Sequence, residues 1–213
     1  MPEKKTTADI KDLGEFRIKY FDVFHLKNLY ISMHEWLAED DWYGMPGGPR
    51  GGEPKYSRHS DIETLYFVND YQKGLHRGGK EMWIWWRLWK NAGGKYGKYF
   101  KFRLELDMHV EYMQDKEVMH QGKKMKANYG EIELFLRPYI ESEMHVKWQN
   151  HWLLKHFVEI FENRVWSQEI EKMEKDLWRQ VYRFQGNVKR YLDLRTFIPT
   201  PEPFHPKQFG MGH

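Results

Sequence analysis

Asp107, His109 and Glu111 occupy alternate positions of one stretch, and His120 follows a few residues later. Alternate positions of a strand share a face, so the first three side chains project together. Imidazole and carboxylate are donors to divalent transition metals. If the chain turns near Asp115, His120 returns almost opposite Glu111, and His109, Glu111 and His120 form a candidate metal set. The competing expectation is a solvated outer face on which charges alternate and hold nothing.

The other polar groups are less specific. His151 and His156 lie five apart at the start of a helical region that also holds His145, whereas helix-borne metal pairs recur at four. Surface or capping roles are expected for them. Acid pairs such as Glu39 with Asp40 and Glu131 with Glu133 are common in a chain that is 31% charged. No serine sits in a nucleophile elbow, and the absence of cysteine excludes thiol catalysis, thiolate metal sites and disulfides. No catalytic residue and no cofactor are assigned, and an enzyme is not indicated. Lys123, Lys124 and Lys126 stand near Tyr129, an arrangement that can stack single-stranded nucleic acid. A net charge of only +3 does not demand such a partner.

These side chains need a scaffold, and the alternation supplies one. From Phe102 to Tyr112, apolar Leu104, Leu106, Met108 and Val110 interleave with Arg103, Glu105, Asp107, His109 and Glu111, which defines a strand with one buried and one wet face. Shorter alternations predict strands over 15–21, 61–71, 81–90 and 131–140. In the third of these, Met82, Ile84, Trp86 and Leu88 oppose Trp83, Trp85 and Trp89, so both faces call for cover. Turns are expected at 114–116 and 121–128, and Pro138 is expected to end its strand or to mark an edge. Leu26, Leu29, Tyr30, Met33 and Leu37 recur at helical spacing behind Asp22, a candidate cap.

The fold class expected is α+β, an antiparallel meander of about six strands packed by an N-terminal helix and by a helix around Phe157. Residues 143–192 are expected to be helical. Their two apolar stripes, Leu154, Phe157, Val158, Phe161 and Val165, then Ile170, Met173, Leu177, Val181, Phe184 and Val188, are out of phase by roughly 150°. Either the helix breaks near Ser167 or its second half projects toward a partner.

One domain over 15–194 is expected, with a flexible leader over 1–14, a Gly/Pro-rich loop over 40–60 and a Pro/aromatic tail over 195–213. That loop carries Arg50, Lys55, Arg58 and His59 without phosphate-loop spacing. The charged start lacks the apolar core of a signal peptide, and no run approaches the roughly 20 apolar residues of a membrane helix. A cytoplasmic address is expected. Abundant Lys, Glu and Trp without Cys suits a thermophile.

The order strand, helix, long loop, antiparallel meander and C-terminal helix resembles the helix-grip topology of the START-like superfamily. The resemblance implies an apolar cavity between sheet and helix, lined by candidates such as Trp86, Phe102, Leu104, Leu106, Leu134 and Phe161. The leading expectation for function is a non-enzymatic structural or assembly subunit, a homo-oligomer joined through its C-terminal helix and tail. Its interface candidates are Ile170, Met173, Leu177, Val181, Phe184, Val188, Phe204 and Phe209. The alternatives are a carrier of an apolar small molecule and a single-stranded nucleic-acid-binding protein.

Overall fold

A computed structural model describes residues 9–44, 62–71, 78–94, 99–120, 122–142, 148 and 151–194. The protein is α+β, with seven antiparallel strands in one sheet. In chain order come β1 (Asp9–Asp12), β2 (Phe16–Phe24), helix α1 (Leu26–Glu39), β3 (Tyr43–Gly44), β4 (Glu63–Tyr71), β5 (Gly79–Asn91), β6 (Phe100–His120), β7 (Lys123–Ser142) and helix α2 (Ser167–Tyr191). β1 and β2 lie end to end along one side of β7, then follow β6 and β5, and β3 and β4 lie end to end along the far side of β5.

The alternation of β6 does what a period of two requires. Phe102, Leu104, Leu106, Met108 and Val110 are at most 1% exposed, facing the same core as Ile84, Trp86, Ile132, Leu134 and Leu136 of the flanking strands. Leu29, Met33 and Leu37 of α1 cover this face, beside the apolar stripe of α2, and Trp36 meets Phe184 with ring centroids 5.2 Å apart. Each such side chain removed from water contributes about 1.5–3 kcal/mol.

The structure corrects several expectations. Residues 9–12, assigned to a flexible leader, form β1 and pair with β7, and Leu13 is buried. The cap of α1 is His25, whose Nδ1 accepts from the Asn28 amide at 3.2 Å, while Asp22 stays in β2. No turn occurs at 114–116. A bulge at Tyr112 and Met113 shifts the register, and β6 runs on to a hairpin at Gly122, so that β7 starts at Lys123. Pro138 neither ends β7 nor sits on an edge strand. Its carbonyl accepts from Leu13 at 3.2 Å, so its missing N–H points at the gap where β1 hands over to β2 and no ladder bond is lost.

The helical region does break at the expected place. After short turns at Leu154–His156 and Val158–Ile160, a π turn spans Phe161–Val165, and α2 starts at Ser167. The packing is the reverse of the expectation. Phe157 is 43% exposed, whereas Ile170, Met173, Leu177, Val181, Phe184 and Val188 lie in the chain's own core at 8% exposure or less. As interface candidates these six are therefore corrected, because the sheet already covers them. Phe204 and Phe209, and residues 45–61, lie outside the described residues. No helix among the described residues is long and apolar enough to cross a membrane.

Candidate metal centre on the outer face of the sheet

The wet face of the sheet is a charge lattice. Asp107 lies between Arg87, at 2.6 Å, and Arg137; Glu133 accepts from Arg17 and from Lys19; Glu131 pairs with Lys19; Glu141 pairs with Arg103, and Glu105 with Arg137. Burial pushes the Glu133 carboxyl up, but Lys19 and Arg17 outweigh it and hold the group below its ordinary value. Each of these acids meets a lysine or an arginine.

Glu81 and Glu111 break the pattern. β5 and β6 pair with Trp83 opposite His109 and Met82 opposite Val110, and the register shifts at the next residue, so Glu81 and Glu111 lie side by side where the ladder breaks at the bulge. Like charges held side by side between strands are destabilising. His109 reaches both, its Nε2 lying 3.0 Å from Glu81 Oε1 and 3.5 Å from Glu111 Oε1. No lysine or arginine among the described residues is paired with either one. The three ligand atoms lie within 4.8 Å of one another.

Their surroundings hold them in place. The Trp83 ring stacks on the His109 imidazole at 3.7 Å and 17°, and Trp83 Nε1 donates to Glu81 Oε1 at 3.1 Å. The Tyr71 hydroxyl donates to Glu81 Oε2 at 2.7 Å and in turn accepts from Asn69 at 3.0 Å. The Tyr71 hydrogen bond, followed by that of His109, keeps the Glu81 carboxyl below the usual glutamate range. The bulge needs two glycines. A Cβ on Gly79, which has φ +100°, would meet the Tyr112 carbonyl carbon at 2.8 Å, and one on Gly130 would meet the Glu111 oxygen at 2.8 Å. Tyr112 itself adopts φ +56°. A cavity of about 220 Å³ opens over the cluster, lined by Tyr71, Gly78, Glu81, Glu111 and Tyr112.

The sequence named His109 and Glu111 and missed Glu81. His120 is not part of this cluster: the register places it opposite Lys123 at the end of the β6–β7 hairpin, since the turn expected near Asp115 is not formed. Of the cavity candidates, Trp86, Phe102, Leu104, Leu106 and Leu134 are packed at 0–1% exposure, and Phe161 is partly buried against the same core. A groove of about 640 Å³ lies elsewhere, lined by residues such as Tyr20, Phe24, Val118, Met125 and Leu192. His151 Nδ1 accepts from the Leu153 and Leu154 amides at 3.3 Å, a capping role. Lys124 pairs with Glu117 at 2.5 Å, and Tyr129 is engaged by Phe21 and by Lys116, 4.6 Å above its ring.

Fold and site together define an α+β protein with a histidine–carboxylate cluster beside a β-bulge. No family model, no curated protein and no solved structure matches the chain.

Proposed function

We propose that this protein is a structural assembly subunit whose copies join by pairing β4 of one with β4 of the next. The outer edge of β4 carries the reading. β4 pairs with β5 on one side and has no partner among the described residues on the other. Edge strands are ordinarily guarded by lysine, proline or a covering element. Residues 63–71 contain no lysine, arginine or proline, and Tyr66, Phe67 and Val68 are 54%, 48% and 44% exposed. Tyr66 and Val68 share the inner face with Ile84 and Met82, while Phe67 lies on the outer face with Trp83, so apolar surface meets water on both sides of the strand.

A second copy suits this edge. Antiparallel pairing about Phe67 sets Tyr66 against Val68, a favourable aromatic–β-branched pair, and sets Glu63 against Tyr71 and Asp70 against Thr64, so no acid faces an acid. The resulting interface has two-fold symmetry. The carrier alternative has less support, because the residues that would line its cavity fill the core instead.

Light scattering on the purified protein is expected to give twice the chain mass of 26.1 kDa. The variant carrying Phe67→Lys and Val68→Lys is expected to be a folded monomer. A monomeric wild type, or an oligomer that survives both substitutions, rejects the pairing.

A further inference from the structure

The geometry points to a divalent transition-metal site formed by His109 Nε2, Glu81 Oε1 and Glu111 Oε1, with zinc the best-suited ion. The donor set is one imidazole and two carboxylates, with no sulfur, which fits zinc and its neighbours and disfavours soft ions such as copper(I). Around a tetrahedral ion with ligand bonds of about 2.0–2.2 Å, ligand atoms stand about 3.4 Å apart. His109 Nε2 lies at 3.0 and 3.5 Å from its two neighbours, close to that spacing, and all three atoms lie within 4.8 Å of one another, so the set closes on an ion once the two carboxylates draw together.

Electrostatics favours an ion at the same point. Two glutamates are brought together where the β5–β6 ladder breaks, and the lysines and arginines that neutralise the other acids of this face pair with neither. A bound cation would supply that missing charge. The supports around the donors are those a metal ligand needs, since hydrogen bonds and packing from outside the set fix each one's orientation. Tyr71 and Trp83 hold Glu81, the Trp83 ring holds His109, and the bulge wedged between Gly79 and Gly130 carries Glu111. Three protein donors leave a fourth position, and a cavity beside Glu81 and Glu111, lined also by Tyr71, Gly78 and Tyr112, gives room for it. An ion in the site therefore keeps a water ligand, as open zinc sites do.

The donors lie on β5 and β6 rather than on the β4 edge, and their stoichiometry is counted per chain, so failure of the pairing leaves the site testable. The test is calorimetric titration of the metal-free full-length protein with zinc chloride, repeated with cobalt(II). Wild type is expected to bind one zinc per chain. Cobalt is expected to give visible absorption bands of a four-coordinate ion and to quench the fluorescence of Trp83. Glu111→Gln and His109→Gln are each expected to weaken binding by at least about tenfold, while Glu169→Gln on α2 leaves it unchanged. Far-UV circular dichroism checks each fold. Glu111 is the more exposed ligand, with a side chain 36% accessible, so Glu111→Gln decides the matter if His109→Gln fails to fold. Absence of a stoichiometric site in wild type overturns the proposal, and so does binding that Glu111→Gln leaves at full strength, because the ion then sits on other histidines.

Discussion

Two apolar stripes follow each other along the C-terminal region, and the fold treats them in opposite ways. The stripe of α2 is continuous, regular and buried from Ile170 to Val188. The stripe before it is broken into short turns; Val158 is buried, but Phe157 and Val165 are 43% and 54% exposed. Both have helical spacing, so spacing did not choose between them. One sheet face can accept one helix phase, and the longer stripe, which also reaches α1 through Phe184, took it. The mismatch is absorbed at the junction. The Trp166 amide donates to the Phe161 carbonyl at 2.9 Å, five residues back, and the extra residue of such a π turn swings the following face by about 100°. Trp166, at φ −105° and ψ 0°, departs from helical geometry at the same point, so the chain changes direction there.

The largest expected effect tests the difference directly. Leu177→Asp puts a carboxylate at a fully buried position and is expected to cost on the order of 4–5 kcal/mol or more, enough to unfold a domain of ordinary stability. Phe157→Asp is expected to change stability by no more than about 0.5 kcal/mol. Urea denaturation of both variants measures the contrast. A soluble, folded Leu177→Asp protein would mean that the stripe of α2 faces solvent or a partner after all.

Next comes the junction. Trp166 is 7% exposed and packs edge-on to Phe100 and against Trp148 and Phe161, with centroids 5.5–5.8 Å apart. Trp166→Ala is expected to cost about 3–5 kcal/mol, as large aromatic truncations in cores do, whereas Trp152→Ala, at 77% exposure, is expected to be nearly silent. Equal effects of the two substitutions in thermal unfolding would remove the pivot role from Trp166.

The same contrast shows what could be read in advance. The sheet was legible because alternation from Phe102 to Val110 is local and unambiguous. The break near Ser167 was legible because two stripes out of phase cannot lie on one surface. Which stripe wins was not, because that depends on α1, whose distance in sequence hides its proximity. At the candidate metal centre, His109 and Glu111 share a strand face by period alone. Glu81 enters through register: Asn91 pairs with Lys101, and the ladder that follows from it, down to Met82 opposite Val110, brings Glu81 alongside Glu111. A turn centred a residue or two away sends a different side chain there. The misplacement of His120 has a related cause. Beyond Asn128 the β6–β7 ribbon is flanked by no other strand among the described residues, and with Met119 68% and Met125 47% exposed its composition imitates a turn. The bulge at Tyr112 has no signature of its own beyond the two glycines, Gly79 and Gly130, that make room for it.

The smallest effect belongs to the wet side of α2, where Glu171 and Lys175 pair at 2.6 Å in the favourable order, acid first and four residues ahead of the base. Hydrogen bonding from Lys175 holds the fully exposed Glu171 carboxyl below its ordinary value of 4.5. A carboxyl lowered in the folded state adds stability that is fully present above that value and is lost as the pH falls through the folded pKa. Glu171→Gln is therefore expected to lower Tm slightly at neutral pH and low salt. That difference from wild type is expected to close as the pH drops below 4.5, and to shrink when salt screens the pair. A difference that grows toward acid would have the wrong sign for this pairing and would mean that Glu171 bears on the buried side of the helix instead.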